Sequence, residues 1–214
     1  MIYNKFDFDD GSLHINEPYY GGAECLVPTL IEPRIFRDER GYFFESFNKK
    51  EFDEKIGQKV NFVQDNESFS QKGTLRGMHY QKNGYAQAKL VRVIQGAVYD
   101  VAVDIRPWSG TFGKYVGVYL SGDNHQQFFI PRGFAHGFVA LEDNTIFQYK
   151  CDNYYNKEQE GSFKWNSIGI PWNNYINLNN IVLSEKDTKA PRFTDIFEDK
   201  LRAMSMMKKI GFNI

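Results

Sequence analysis

Residues 97–106 read AVYDVAVDIR, and this stretch decides the fold class. From Tyr99 to Ile105 every second residue is apolar or aromatic, which is the period of a β-strand whose successive side chains point to opposite faces. The other face carries Asp100 and Asp104. Such a polar face either lines a cavity or faces water, and the second case is the commoner. The stretch therefore predicts a strand with one buried face and one polar face.

Short strand-like runs punctuated by glycine continue on both sides of this stretch. Ten glycines occur between residues 73 and 137, and the other runs among them are AKLVRVI, KYVGVYL, QQFFI and FAHGFVAL. Regular short strands with glycine turns are typical of β-sandwiches and jelly rolls. We therefore predict a mainly β fold of this kind, with only a few short helices.

Smaller elements are expected around these strands. The turn residues Asp38–Gly41 lie between two aromatic runs and indicate a β-hairpin. Asn48–Ile56 has the apolar spacing of a short helix, and Thr145–Lys150 has the composition of a strand. Ser184–Asp187 has the form of a helix-capping segment, and apolar residues recur at helical spacing over Phe197–Lys209, which predicts a C-terminal amphipathic helix.

The chain carries no linker, internal repeat or low-complexity tract that would divide it. We therefore predict a single domain over residues 1–214. Residues 1–22 are polar and without clear periodicity, so we expect an N-terminal extension that is flexible or forms an edge. Residues 192–214 are expected to form a small C-terminal helical tail.

Composition excludes several classes of function. Lys and Arg number 26 against 27 Asp and Glu, a net charge of −1, so no basic field favours a nucleic-acid partner. The two cysteines, Cys25 and Cys151, are far apart, which argues against a disulfide framework or a cysteine zinc site. The start is polar and acidic, and no run approaches the roughly 18 apolar residues of a membrane span. We expect a cytoplasmic protein with no membrane partner.

The stretch Leu75–Gln81, LRGMHYQ, holds the first candidate site residues. In a regular strand Arg76 and His79 would point to opposite sides, but Gly77 permits a bulge or bend that brings both into one cavity. Histidine titrates near neutrality and suits a general base, while arginine suits a phosphate. The alternative is a hydrogen-bonded core histidine beside a surface arginine, and the seven residues alone leave both readings open.

A second histidine, His136, lies in IPRGFAHGF, and its P-x-G-x-x-H pattern is cupin-like. Many cupins bind a metal through three histidines and a carboxylate, but Gln81 stands where the second histidine of an H-x-H pair would be. His14 and His125 lie outside both motifs, so we expect no metal site. The sequence also lacks the motifs of serine hydrolases, phosphate-binding loops and dinucleotide-binding folds, so we expect no cofactor.

Three further polar residues have ordinary interpretations when each is taken alone. Lys89 lies among aliphatic residues, as a charged residue protecting an edge strand would. Tyr149 fits ordinary strand packing, and Asp187 fits the cap of its own turn. Their chemistry becomes specific only in combination with the histidines.

In combination, the motifs resemble the dTDP-4-dehydrorhamnose 3,5-epimerase family. The matching segments run in order from about Ile31 to Pro191 and read FRDERGYFFESFN, VNFVQDNESFS, TLRGMHYQ, AKLVRVIQGAVYDVAVDIRPWSGTFGKYVGV, FFIPRGFAHGFVAL, YKCDNYYNKEQEG and LSEKDTKAP. The resemblance implies a jelly-roll, cupin-type fold and a cofactor-independent isomerase of rhamnose biosynthesis. Its implied substrate is dTDP-4-keto-6-deoxy-D-glucose, inverted at C3 and C5 to dTDP-4-keto-L-rhamnose.

The resemblance also implies a role for each matching residue. His79 is implied as the general base, Asp187 as the carboxylate that holds and polarises it, Tyr149 as the general acid on the opposite face of the sugar, and Lys89 as the cation beside the C4 oxygen. Tyr155 is implied to stack on the nucleotide base. The other residues implied to bind the nucleotide sugar are Arg40, Glu45, Gln64, Asp65, Asn66, Arg76, His136, Glu160 and Lys186.

Family members are homodimers that exchange N-terminal strands across the interface. This implies that Arg40 and Glu45 serve the partner's site. The aromatic run Tyr42-Phe43-Phe44 agrees with such an interface, because it is hard to leave exposed on a monomer.

These residue types fit the chemistry independently of the family. A 4-keto group acidifies the protons on C3 and C5, a base can form the enolate, a cation stabilises its oxygen, and an acid on the other face completes inversion. The same base and acid could serve one centre or both, so the sequence leaves this open, together with the identity of the nucleotide. The alternatives are a mono-epimerase at C3 or C5, an epimerase of another nucleotide-linked 4-keto sugar, a metal-dependent cupin oxygenase, and a non-catalytic cupin that binds sugar nucleotides.

Overall fold

The strands expected from the glycine-rich stretch form two antiparallel β-sheets that pack face to face. The structure is a computed structural model that describes residues 1–6 and 27–209, with side chains as far as residue 206. Most of the expected N-terminal extension, Cys25, His14 and the last five residues lie outside the described residues. No helix in the part described is long and apolar enough to cross a membrane.

Thirteen strands and four α-helices are described. In chain order the strands are β1 (Ile2–Lys5), β2 (Thr29–Glu32), β3 (Phe36–Asp38), β4 (Gly41–Phe43), β5 (Gln64–Ser70), β6 (Leu75–Gln81), β7 (Lys89–Gln95), β8 (Ala97–Asp104), β9 (Tyr115–Ser121), β10 (Gln127–Ile130), β11 (Phe134–Ala140), β12 (Thr145–Cys151) and β13 (Glu160–Ser162). The helices are α1 (Lys49–Ile56), α2 (Glu185–Lys189), α3 (Phe193–Ile196) and α4 (Glu198–Lys209), and short 3-10 turns cover Asn83–Tyr85, Lys157–Gln159, Trp172–Asn174 and Leu178–Asn180.

The first sheet has the order β1-β2-β10-β7-β12-β5, and the second has the order β13-β6-β11-β8-β9. Apolar side chains from both sheets, such as Val91, Phe128 and Phe147 from the first and Val98 and Phe138 from the second, form the core between them. Helix α1 covers part of the outer face of the first sheet through Phe52 and Ile56. The segment after β13 covers the outer face of the second. This is the expected mainly β, jelly-roll sandwich with a few short helices.

The polar face of β8 does not meet water, which corrects the commoner of the two readings of this strand. Asp100 and Asp104 are both 0% exposed, because β8 is an inner strand of its sheet and the other sheet packs over this face. Asp104 accepts hydrogen bonds from Arg106 (2.6 Å), Ser109 (2.6 Å) and Thr111 (2.6 Å), so its buried charge is paired and bonded. Asp100 belongs to the site described below.

Strand β6 changes its side-chain alternation at Gly77, as expected. Leu75 and Met78 both enter the cluster on the outer face of the sheet, although they are three residues apart, while Arg76 and His79 face the other way. Gly77 has a φ of +132°, and a Cβ there would lie 2.6 Å from the Cα of Gly137 on β11. The glycine therefore allows both the bend and the close approach of the two strands.

The smaller elements predicted from sequence are confirmed. β3 and β4 form a separate two-stranded hairpin, and α1 begins after Asn48, whose side chain accepts a hydrogen bond from the backbone N–H of Glu51. In the tail, α4 begins one residue after Phe197. Leu201 and Met204 pack against the outer core of the second sheet, so the apolar stripe is a packing surface as far as it is described.

Candidate active site

A cavity of about 400 Å³ opens between the two sheets, close to the bend in β6. Six of the residues singled out in the sequence line it, namely Arg76, His79, Lys89, His136, Tyr149 and Asp187. The other lining residues are Ser68, Thr74, Leu75, Phe138, Val182, Leu183 and Ser184. The structure thus brings together residues that are more than 100 positions apart in the chain.

His79 and Asp187 form a directly bonded pair on one wall. The Nε2 of His79 lies 2.5 Å from Oδ1 of Asp187, and the other carboxylate oxygen, Oδ2, accepts a hydrogen bond from the Ser184 hydroxyl at 2.9 Å. Ser184 caps α2 and thereby fixes the carboxylate. The pKa of Asp187 is lowered overall. Burial alone would raise it, but the hydrogen bonds from His79 and Ser184 and the charge of His79 have the larger, opposite effect. Asp187 is therefore a carboxylate that orients the imidazole and leaves the second ring nitrogen for the cavity.

Tyr149 and Lys89 come from the first sheet and face His79 across the cavity. They lie on β12 and β7, and the Lys89 ammonium is 5.7 Å from the centre of the Tyr149 ring. Burial raises the pKa of Tyr149, so its phenol is protonated at neutral pH. β7 is an inner strand, flanked by β10 and β12, so Lys89 does not protect a sheet edge as its ordinary interpretation suggested.

Asp100 and His136 form a second buried carboxylate–imidazole pair next to Lys89. The Nε2 of His136 lies 3.0 and 2.9 Å from the two oxygens of Asp100. Burial lowers the pKa of His136, which favours a neutral ring that donates to Asp100. Burial also lowers the pKa of Lys89, while Cys151 and Asp100 act in the opposite direction. The buried carboxylate thus favours the charged form of the lysine.

Arg76 is exposed and borders the same cavity from β6. Its Nε donates to the Ser70 hydroxyl at 3.3 Å and its Nη2 to the Phe69 carbonyl at 3.2 Å, which hold the guanidinium against β5. A guanidinium has five N–H donors, so several remain for a ligand. Its planar fork suits a phosphate group at this edge of the cavity.

Five more predicted site residues form a connected polar group outside the cavity lining. Tyr155 donates hydrogen bonds from its backbone N–H to the side chain of Gln64 (3.2 Å) and from its hydroxyl to Glu160 (3.2 Å). The side chain of Gln64 donates to that of Asn66 (2.9 Å). Lys186 forms an ion pair with Glu160. Asn66 is paired with Tyr149 across β5 and β12, and Lys186 precedes Asp187. The group therefore adjoins the cavity.

Three predicted site residues lie elsewhere in the single chain. Arg40 is at the tip of the β3–β4 hairpin, bonded to Asp38, and Glu45 is exposed in the segment that follows. Asp65 points to the outer face of β5, where it contacts Lys150 at 3.0 Å, because its neighbours Gln64 and Asn66 take the inner face. None of the three lines the cavity.

The polar members of the site that sequence reasoning missed include Asp100 and Ser68. In the sequence, Asp100 was noted only as part of the polar face of a strand. The alternation along β8 would have indicated it, because β8 pairs with β11, the strand that carries His136. Ser68 stands on the same face of β5 as Asn66, two residues away. Strand alternation from that predicted residue would have found it.

The cavity shows no preformed cluster of metal ligands. Within residues 1–6 and 27–209 no group of three or more histidine, cysteine or carboxylate side chains is placed to bind a metal ion. Gln81, at the position of a metal cupin's second histidine, accepts a hydrogen bond from the backbone of Asn156 at 3.1 Å.

Together these features define an acid–base enzyme. A histidine–aspartate pair and a protonated tyrosine face each other in a β-sandwich, with the amine of Lys89 and the exposed guanidinium of Arg76 beside them, as proton transfer on a small anionic substrate requires. A model of the dTDP-4-dehydrorhamnose 3,5-epimerase family matches residues 27–195. The chain belongs to this family of isomerases.

Individual relatives agree with this assignment. The dTDP-4-dehydrorhamnose 3,5-epimerase of Shigella flexneri is 54% identical over 168 residues, which cover 78% of this chain and 91% of the relative. The solved dTDP-6-deoxy-D-glucose-3,5-epimerase of Legionella pneumophila, in complex with dTDP-4-keto-L-rhamnose, is 47% identical with a TM-score of 0.75 and covers 81% of this chain and 91% of that one. A 3'-monoepimerase from Streptomyces bikiniensis, in complex with dTDP-quinovose, is 27% identical with a TM-score of 0.74 and covers 86% and 97%.

Proposed function

We propose that the protein inverts C3 and C5 of dTDP-4-keto-6-deoxy-D-glucose to give dTDP-4-keto-L-rhamnose, without a cofactor. One observation carries the mechanism. His79, bonded to Asp187, and Tyr149 stand on opposite walls of one cavity that also contains Lys89. A base and an acid on facing walls are the minimum that inversion of a carbon centre requires.

The first step is removal of a proton from the carbon beside the keto group. His79 takes it with the ring nitrogen that does not bind Asp187. The resulting imidazolium is stabilised by the adjacent carboxylate, which stays ionised because its pKa is lowered. The 3% exposure of the Asp187 side chain limits screening of this pair by water.

The second requirement is a positive charge beside the enolate oxygen. Lys89 lies in the cavity on the wall opposite His79. Burial lowers its pKa, and the neighbouring Asp100 opposes that lowering and so favours the ammonium form. A preorganised cation at a developing oxyanion contributes about 3–4 kcal/mol by analogy with oxyanion-hole donors. The rigid β7 strand holds it in place.

The last step returns a proton to the other face of the carbon. The phenol of Tyr149 is protonated because burial raises its pKa, so it can donate where His79 cannot reach. Arg76 binds the diphosphate at the exposed edge, and the group of Gln64, Asn66, Tyr155, Glu160 and Lys186 binds the nucleoside beside it. Tyr155, which is 52% exposed, offers a ring face for base stacking.

Incubation with dTDP-4-keto-6-deoxy-D-glucose in deuterated water tests this function. We expect the rhamno-configured product with deuterium at both C3 and C5, because each inversion passes through an enolate that is reprotonated from solvent-exchanged groups. NMR and mass spectrometry of the product count the deuterium. No turnover of this substrate by the folded protein would contradict the proposal.

A mono-epimerase is the second candidate, since a solved 3'-monoepimerase has the same fold. The residues of the cavity serve one centre as well as two. The higher identity to 3,5-epimerases, 54% and 47% against 27%, favours inversion of both centres. Deuterium at C3 or C5 alone would establish the mono-epimerase instead.

We also propose that the protein is a homodimer in which the β3–β4 hairpin reaches the partner's site. The hairpin belongs to neither main sheet, and its aromatic side chains Phe36, Tyr42 and Phe43 are 51%, 54% and 71% exposed. Large apolar side chains grouped on an exposed hairpin favour an interface. The same arrangement accounts for Arg40 and Glu45, which do not reach the cavity of their own chain.

Sedimentation at micromolar concentration is expected to give about twice the chain mass of 25.0 kDa. The Phe43→Glu variant should give a lower mass, because its dimer would bury an unpaired carboxylate in the interface. Tyr119→Glu is the control, because Tyr119 is 46% exposed on β9, outside the hairpin. A 25.0 kDa species in the unaltered protein would exclude the dimer at that concentration.

Subunit mixing tests whether the site is shared. Arg40→Ala chains keep His79, and His79→Asn chains keep Arg40, so a mixed dimer regains one complete site if Arg40 acts across the interface. After random exchange we expect about a quarter of wild-type activity, since half the dimers are mixed and each has one working site. Activity no higher than the mean of the two parents would place Arg40 outside the partner's site.

A cytoplasmic location is proposed with the same function. Cys151 is a free, buried thiol, and burial raises its pKa to about 11, which keeps it unreactive. Among the described residues Cys151 forms no disulfide, which is in keeping with a reducing compartment.

A further inference from the structure

Ser68 has a hydroxyl that is shielded from solvent but has no hydrogen-bond partner. Its Oγ is one of two such side-chain atoms among the described residues. The other, Asn4 Oδ1, belongs to an amide whose nitrogen is bonded to Glu32 at 2.8 Å. Ser68 lines the cavity, and a desolvated hydroxyl without a partner destabilises the free protein. Because no hydrogen bond holds this hydroxyl, a change of side-chain rotamer can turn it toward a ligand in the cavity, which would supply the missing partner.

The position of Ser68 indicates which part of a ligand it meets. On the inner face of β5 it stands between Ser70, which holds Arg76 at 3.3 Å, and Asn66, which is paired with Tyr149. Arg76 and Tyr149 both line the cavity. The serine hydroxyl therefore lies between the group that binds an anion and the group that donates a proton.

A nucleotide sugar has one chemical unit that falls between those two groups. The phosphoryl group attached to the hexose joins the diphosphate to the reacting ring. Its oxygens only accept hydrogen bonds, and the Ser68 hydroxyl can donate one.

We propose that Ser68 is a substrate-binding residue that donates a hydrogen bond to a phosphoryl oxygen of the nucleoside diphosphate, beside Arg76. This inference rests on the proposed function, which assigns the diphosphate to Arg76. The hydroxyl and the guanidinium then bind the same group from two directions, and they fix the hexose relative to His79 and Tyr149.

Ser68→Ala tests this inference through ligand affinity and stability together. Calorimetric titration with dTDP, which lacks the hexose, should show a Kd about 10- to 100-fold higher, the usual worth of a hydrogen bond to a charged group. The KM for dTDP-4-keto-6-deoxy-D-glucose should rise by a similar factor, with kcat changed a few-fold at most. The Tm of the free protein should be unchanged or higher, because the variant loses no hydrogen bond.

Ser121→Ala is the matched control. Its hydroxyl is also buried, but it accepts a hydrogen bond from the backbone N–H of Asn124 at 3.0 Å, on β9 and outside the cavity lining. We expect a lower Tm and an unchanged Kd for dTDP, the reverse of Ser68→Ala. This contrast separates a loss of ligand contact from a loss of folding stability.

Three results would overturn the inference. An unchanged Kd and KM in Ser68→Ala would show that the hydroxyl does not contact the ligand. A raised KM with an unchanged Kd for dTDP would place the contact on the hexose instead of the diphosphate. Failure of the unaltered, folded protein to bind dTDP or turn over the substrate would overturn the proposed function, and this inference with it.

Discussion

His79→Asn should lose inversion and solvent exchange together, with turnover reduced about 10²- to 10⁴-fold, the usual contribution of a general base. Asparagine retains a polar side chain that can bond Asp187, but it cannot accept a proton from carbon. The loss of exchange follows because no enolate forms at either centre. Turnover and deuterium uptake are measured on the same sample in deuterated water.

The affinity for dTDP provides the control for His79→Asn. It should remain within a few-fold of the unaltered value, because the diphosphate and nucleoside contacts assigned above do not involve the imidazole. Near-normal turnover in the variant would remove His79 from the mechanism. A large loss of dTDP affinity would show instead that the substitution disturbs binding.

Local sequence patterns predicted the parts of the fold that depend on neighbouring residues. Alternation identified β8, the apolar spacing of Asn48–Ile56 identified α1, and Gly77 identified the bend that turns Arg76 and His79 the same way. Each of these features depends only on residues within one or two helical turns or within one pair of neighbouring strands. The sandwich class followed because many such strands with glycine turns have few other ways to bury their apolar faces.

Tertiary packing determined what the patterns could not. Asp100 is buried because the first sheet covers this face of β8, and the sequence of β8 does not specify what covers it. The bond between His79 and Asp187 joins residues 108 positions apart, so only the family resemblance linked them before the structure did. Arg40 and Glu45 remain apart from the cavity in the single chain, as a site completed by a partner would require.

Tyr149→Phe should separate exchange from inversion, and this separation is the sharpest test of the two-wall mechanism. Phenylalanine keeps the ring and its packing beside Phe147 but removes the phenolic proton. His79 and Lys89 remain, so the enolate still forms, and His79 returns a proton to the face from which it came. The substrate should therefore take up deuterium with retained configuration, while inversion falls about 10²-fold or more.

Tyr80→Phe is the matched control for this experiment. Tyr80 is another buried tyrosine, but it points into the cluster on the outer face of the second sheet and does not line the cavity. Both exchange and inversion should stay near normal in that variant. If Tyr149→Phe inverts as fast as the unaltered protein, the acid is a different group. If it loses exchange as completely as His79→Asn, Tyr149 is needed to form the enolate or to position the substrate, and the division of labour between the two walls is wrong.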